Sequence, residues 1–167
     1  MSVARSDVQI YSFQKEDFPA CAKIYKEGMD TGIATFETKV PDWEKWNAKF
    51  LPQCRFVAKC NDEVIGWCAL SSFSSREVYS GVAEVTIYIA AKAQRKGIGK
   101  LLLEQLIAES EQAGFWTLQA KIFPENKGSI LLHEKCGFRK VGVREKLGMR
   151  DGIWYNNVLL ERRSNLV

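Results

Sequence analysis

A β-prone run at residues 82–90 (VAEVTIYIA) leads through Gln94-Arg95-Lys96-Gly97-Ile98-Gly99-Lys100 into an amphipathic helix whose stripe is Ile98, Leu101, Leu102, Leu106 and Ile107. A strand that hands over to a helix at glycines lets a ligand approach the backbone and leaves the first helical N–H groups free to meet an anion. Arg95, Lys96 and Lys100 add positive charge at the same place. Two glycines alone suit a tight strand-to-helix turn equally well. A nucleotide loop of the Walker type needs a hydroxyl after its lysine, but Lys100 is followed by Leu101. A dinucleotide fingerprint would want three glycines near the first strand and an acidic residue after the second, which is also missing.

The rest of the chain alternates in period. Residues 8–13 read as a half-buried strand, and Phe18, Cys21, Ala22, Tyr25 and Met29 as one face of a helix started by Asp17 before Pro19. Residues 30–39 (DTGIATFETK) read as an ordered loop, and Pro41 as the opening of a second helix with Trp43, Trp46 and Phe50. Strands at 55–60 and 64–71 flank a hairpin turn at 61–63, and 72–80 is a polar connection. Beyond the long helix, which stops near Gly114, come a strand at 116–123, a helix at 125–136 closed by Gly137, and strands at 138–145 and 153–161 around Arg150-Asp151-Gly152. This order predicts a mixed α/β domain with one central sheet, a single domain over residues 1–167.

Composition narrows the function. The net charge of +4 is spread along the chain, without the basic footprint of a nucleic-acid binder. Five cysteines without a C-x-x-C pair are an odd set, read as reduced thiols in a cytoplasm. Residues 1–6 hold no apolar run, and no stretch of roughly 20 apolar residues offers a membrane span.

The turn has the form Gln/Arg-x-x-Gly-x-Gly/Ala, by which the chain resembles the GNAT N-acetyltransferases. Ala34-Thr35-Phe36-Glu37-Thr38, Ala83-Glu84-Val85-Thr86-Ile87-Tyr88-Ile89 and the run from Glu125 to Phe138 (ENKGSILLHEKCGF) narrow the resemblance to the phosphinothricin and methionine sulfone/sulfoximine acetyltransferases. It implies an α/β (α+β) fold with a central mixed, mostly antiparallel sheet of six to seven strands and about four helices. An acetyl-CoA cleft would splay between the fourth and fifth strands. It also implies acetyl-CoA as cosubstrate, no metal, a small amine as acceptor, and a homodimer.

Alternation along 82–90 places Glu84, Thr86 and Tyr88 opposite Val85, Ile87 and Ile89. A carboxylate in so apolar a strand is either a structural ion pair or a base with a raised pKa, able to take the proton from an incoming ammonium. The resemblance selects Glu84 as the base. It implies that the backbone of Ile87, Tyr88 and Ile89 holds acetyl and pantetheine groups, with the Ile87 N–H facing the oxyanion. Gln94, Arg95, Lys96, Gly97, Ile98, Gly99 and Lys100 would hold the pyrophosphate, Asn126 the pantetheine, and Lys135 the 3′-phosphate. His133, the lone histidine, would be a general acid or a CoA contact. Direct transfer leaves Cys68 and Cys136 as core residues. On the acceptor side the resemblance implies Thr35, Phe36 and Glu37 from the loop, Val85 and Thr86 from the strand, and Ser74, Ser75, Arg76 and Tyr79, with Arg76 gripping a carboxylate. The chain departs from the pattern at Ser74, where an arginine is usual, and at Asn156, where an aspartate is. A peptide N-terminal acetyltransferase and a non-catalytic acyl-CoA sensor are the competing readings.

Overall fold

The computed structural model describes residues 3–167; residues 1 and 2, part of the stretch scanned for an export signal, lie outside them. In chain order the elements are β1 (Val8–Ser12), α1 (Phe18–Asp30), α2 (Trp43–Lys49), β2 (Phe56–Cys60), β3 (Glu63–Ser72), β4 (Val82–Ile89), α3 (Ile98–Gln112), β5 (Thr117–Ile122), α4 (Lys127–Lys135), β6 (Arg139–Arg150) and β7 (Ile153–Arg163). The strands form one seven-stranded sheet in the order β1-β2-β3-β4-β5-β7-β6. Every neighbouring pair is antiparallel except β4 and β5, which run parallel. The mixed, mostly antiparallel sheet expected from the sequence is therefore present, with its four α-helices. Among the described residues no helix is long and apolar enough to cross a membrane.

Local chemistry explains where the boundaries moved. The second helix starts at Trp43, because the Asp42 carboxylate accepts from the Lys45 N–H at 2.9 Å and caps it. Asp17 does not cap α1 with its side chain; it accepts from the Gln14 N–H and pairs with Lys59 at 2.8 Å. In α3 the core takes Leu103, fully buried, where the stripe had Leu101. Strands β6 and β7 outrun their expected ends. Register shifts after Lys140 and Arg144 break the alternation by which a strand is recognised. Asn156 Oδ1 accepts from the N–H of Lys146, whose φ is 47°, and so fixes the second shift.

The sheet is covered on both faces. Gly66 of β3 looks toward Leu102 of α3, while its neighbour Trp67 meets Tyr25 of α1, so the two helices lie on opposite sides. On the α1 face an aromatic layer runs inward from Phe13 and Trp46 through Trp67 to Tyr88, with the last two rings stacked at 5.4 Å. The Trp43/Trp46 helix thus belongs to the core, with Trp46 only 2% exposed. Tyr88 is held edge-on by Tyr25 at 4.8 Å and lies directly over Gly28, in the last turn of α1.

The site is positioned by a mismatch in strand pairing. β3 follows β4 as far as Ile89, but β5 pairs with it only from Val82↔Thr117 to Glu84↔Gln119. Beyond Glu84 the two parallel strands part, and the sheet opens into a V.

Gly28 gives a test of this packing. On helix propensity alone Gly28→Ala would stabilise by about 1 kcal/mol. A Cβ there would stand 2.6 Å from the ring of Tyr88, which the aromatic layer holds in place. The expected net result is a loss of about 1–3 kcal/mol in urea-denaturation midpoint experiments.

Candidate active site

The parted strands open a cleft of about 1210 Å³, lined by residues 84–89 of β4, the glycine turn, one side of α4, the end of β5 and the loop after α1. Glu84 occupies its apex, as the last β4 residue paired to β5. Its Oε2 receives two donors from β5, Lys121 Nζ at 2.8 Å and Gln119 Nε2 at 3.1 Å. Oε1 has no hydrogen-bond partner among the described residues and is the oxygen left to accept a proton. The carboxylate is thus ion-paired, one of the two sequence readings, and the pair stands at the apex of the cleft, where a base would also have to be.

The glycine turn is built as a cradle. Arg95 and Gly97 take φ of 61° and 77°, and Gly97 caps α3 from the left-handed region. None of the N–H groups of residues 95–100 has an acceptor among the described residues; the first to bond is Leu101, to Gly97 O at 3.3 Å. Gln94 reaches back to Ile89 O at 3.3 Å and ties the turn to the end of β4. Gly99 lets α3 approach α4, for a Cβ there would lie 3.0 Å from Leu132. Arg95 and Lys96 have no ion-pair partner among the described residues, while Lys100 pairs with Glu104 at 3.5 Å. Unfilled donors, a helix start and unneutralised cations together fit the pyrophosphate of CoA. Gln94, Arg95, Gly97, Ile98, Gly99 and Lys100 line the cleft; Lys96 lies outside it.

Helix α4 forms the opposite wall. Asn126 caps it, its Oδ1 accepting from the Ser129 N–H at 3.3 Å, which leaves the amide NH₂ for a ligand. Lys135 lines the cleft and is exposed. His133 is 2% exposed and packs edge-on against Phe138. Its Nδ1 lies 2.7 Å from Ser129 O, and because a carbonyl only accepts, Nδ1 carries the proton. Nε2 is then a bare lone pair, enclosed and without a partner. Burial pushes the imidazole pKa below its ordinary 6.5. The ring lines the cleft, so its place suits the CoA contact expected of His133, while the Nδ1–H tautomer leaves no proton on Nε2.

On the acceptor side the loop at residues 31–42 is held by a residue that the sequence reading missed. Arg150, at the end of β6, donates to Thr35 O and Gly32 O, each at 2.5 Å, and lies over the ring of Tyr155. Phe36 is clasped between Phe123 and Gly148, where a Cβ would come within 2.7 Å of its ring. Thr35, Phe36, Glu37, Val85 and Thr86 all line the cleft, as do Tyr25 and Asn157. Asn157 is 4% exposed, and its Oδ1 is unpartnered among the described residues. By contrast Ser74, Ser75, Arg76 and Tyr79 do not reach the cleft. Within this connection Ser74 Oγ accepts from the Arg76 N–H, and the Arg76 guanidinium lies over Tyr79. Lys121, Gln119, Arg150 and Asn157 carried no motif. Each acquires its place only when the sheet brings β5 beside β4 and the β6–β7 hairpin beyond it to the cleft and the loop after α1.

Cys21, Cys54, Cys60 and Cys68 are buried free thiols. Burial pushes Cys21 up to about 12 and Cys54 up to about 11, so neither is a thiolate near neutrality.

Comparison with known proteins places this geometry among relatives. The model of the acetyltransferase (GNAT) family matches residues 9–138. The chain is 31% identical to a phosphinothricin N-acetyltransferase of Alcaligenes faecalis, over 99% of this chain and 87% of the relative. It is 24% identical to an L-methionine sulfoximine/L-methionine sulfone acetyltransferase of Pseudomonas paraeruginosa, over 87% of this chain and 88% of that one. Among solved structures it resembles a GNAT superfamily phosphinothricin acetyltransferase from Sinorhizobium meliloti in complex with AcCoA, with a TM-score of 0.86, 28% identity, and 94% and 88% of the two chains covered.

The buried histidine makes a pH prediction. The unfolded chain takes up a proton near pH 6.5 that the folded chain refuses, so His133 contributes stability above that pH and loses it as pH falls toward the lowered folded value. In denaturation series from pH 7.5 to 5, His133→Leu is expected to flatten the acid-side slope relative to the wild type.

Proposed function

Since the chain belongs to the acetyltransferase (GNAT) family and is an acetyl-CoA-dependent N-acetyltransferase, we propose that its acceptor is the amine of a small amino-acid-like molecule and that Glu84 is the base. The carrying observation is Glu84 at the apex of the V, with Oε1 free and the anion cradle on the same cleft. The acceptor ammonium gives a proton to Oε1, directly or through water, and the freed nitrogen attacks the thioester carbonyl. The C–N bond forms, the nitrogen of the adduct gives up its second proton to solvent, and the C–S bond then breaks, the sulfur leaving with the electron pair. Strand β4 keeps the acyl group extended along Ile87–Ile89, and an N–H on this segment, that of Ile87 in our assignment, faces the oxygen on which negative charge develops. The turn from Gln94 to Lys100 holds the pyrophosphate, Lys96 contributing charge from outside the cleft, with Asn126 and Lys135 as further contacts.

His133 is assigned to packing beneath α4, and the leaving thiolate takes its proton from solvent. Thr35, Phe36, Glu37, Val85 and Thr86 wall the acceptor. A pocket for a small molecule is favoured over a groove for a peptide terminus, because Arg150 and the Phe36 clasp draw the loop across to β6. Reduced cysteines suit a cytoplasmic enzyme. We also assign a homodimer. β6 is the sheet's edge, and its hairpin with β7 exposes Val141, Val143, Met149, Ile153 and Trp154. A second copy of this hairpin supplies a matching face under two-fold symmetry.

Glu84→Gln is expected to lower kcat by a factor of about 100 in a CoA-release assay, with KM for acetyl-CoA unchanged; unaltered turnover would remove Glu84 from the reaction. Sedimentation should show a dimer for the wild type and a shift to monomer for Trp154→Glu. A monomeric wild type would sink the assembly.

A further inference from the structure

Lys121 was singled out by no motif, yet it is the cation paired with the proposed base. Its ammonium lies 2.8 Å from Glu84 Oε2, and the two side chains are 38% and 25% exposed, so the pair is open to the cleft that both residues line. A half-exposed ion pair of this kind adds little to stability. The pair is better understood by what it offers a ligand. An ammonium has three N–H donors, and the Glu84 contact uses one.

The other cations of the cleft stand elsewhere. Arg95 and Lys100 belong to the glycine turn, Lys127 and Lys135 to α4, and Lys49 to the end of α2. Arg150 is committed to the carbonyls of Gly32 and Thr35, and Arg76 lies outside the cleft. Among the described residues Lys121 is the cation within ion-pairing distance of Glu84.

We propose that Lys121 recognises the α-carboxylate of the acceptor, so that the Glu84–Lys121 pair selects zwitterionic α-amino acids over amines that lack an adjacent carboxylate. In an α-amino acid the nitrogen and the carboxyl carbon are about 2.5 Å apart, from two bonds of about 1.5 Å at an angle near 111°. That dipole is short enough to lie antiparallel along the 2.8 Å pair, its ammonium on Glu84 Oε1 and its carboxylate on Lys121 Nζ. Both charges of the acceptor are then matched, and its amine is held against the oxygen that removes the proton. Gln119 steadies the arrangement from the same face of β5, keeping Oε2 occupied when Lys121 turns toward the acceptor.

The inference rests on the amino-acid reading of the acceptor, and the experiment separates the two. CoA release is measured for the wild type, Lys121→Met and Lys121→Arg with L-methionine sulfone and with its α-carboxamide. The wild type should prefer the acid. Lys121→Met should lower kcat/KM for the acid at least about tenfold more than it lowers kcat/KM for the amide, the excess falling mainly on KM for the acid, while KM for acetyl-CoA stays within about twofold. Lys121→Arg should restore most of the preference for the acid. An equal fall for acid and amide would overturn the proposal and reduce Lys121 to a positioning residue for Glu84. Unchanged kinetics with the acid would place the carboxylate contact elsewhere. A wild type that releases CoA with simple amines but with neither of these acceptors would bring down the amino-acid reading, and the Lys121 assignment with it.

Discussion

The architecture turns on the brief agreement between β4 and β5. Three residue pairs hold them parallel, and after Glu84 the backbone of β4 has a partner only on the β3 side. An open strand edge inside a sheet is costly unless something takes up its polar groups. Here the opening is kept by what stands on either side of it. The glycine turn starts a helix at the top of β4, while β5 is carried away by its pairing with β7 and leads into α4. A ligand with a strand-like amide chain and a phosphate at one end meets both unsatisfied features at once. Gly99 matters for the same reason, since α3 and α4 can converge over the cleft only where no side chain intervenes.

Charge is arranged along the cleft in two zones. At the turn, Arg95 and Lys96 stand without carboxylate partners among the described residues, a repulsive arrangement that an anion relieves. At the apex, Glu84 and Lys121 balance each other, so that end favours a ligand carrying both signs. The neutral, enclosed ring of His133 lies in neither zone; its one proton is committed to Ser129 O, and its packing against Phe138 fixes α4.

The sequence made the fold legible because each element carried a local signal: Asn61 and Asp62 in left-handed conformations between β2 and β3, Gly137 past α4, and the apolar stripe of α3. The cofactor wall was legible for the same reason, being built from contiguous residues. The ends of β6 and β7 were not, because bulges interrupt the alternation from which a strand is inferred. Lys121 and Gln119 look like ordinary outward-facing strand residues until Gln119 is paired with Glu84. Arg150 looks like a turn residue until the loop after α1 is brought across to it. Arg76 differs: the resemblance places it at the acceptor, while in the structure its guanidinium lies over Tyr79 and outside the cleft.

The two sides of the cleft are also held by different forces, and this bears on which side can change. Glu84 and the proposed acyl-binding segment lie on a central strand backed by the aromatic layer of Trp67, Tyr88 and Tyr25, where one extra methyl on α1 has no room. The loop carrying Thr35, Phe36 and Glu37 has no regular structure. It is kept in place by two hydrogen bonds from Arg150 and by the fit of one ring against Gly148. Hydrogen bonds from a charged donor are strong for their number, about 1.5–3 kcal/mol each, but few are involved. Reaction geometry therefore rests on the core, and acceptor shape rests on a small number of contacts between the loop and the β6–β7 hairpin. Substitution at these contacts can reshape the pocket while leaving the transfer chemistry on β4 undisturbed.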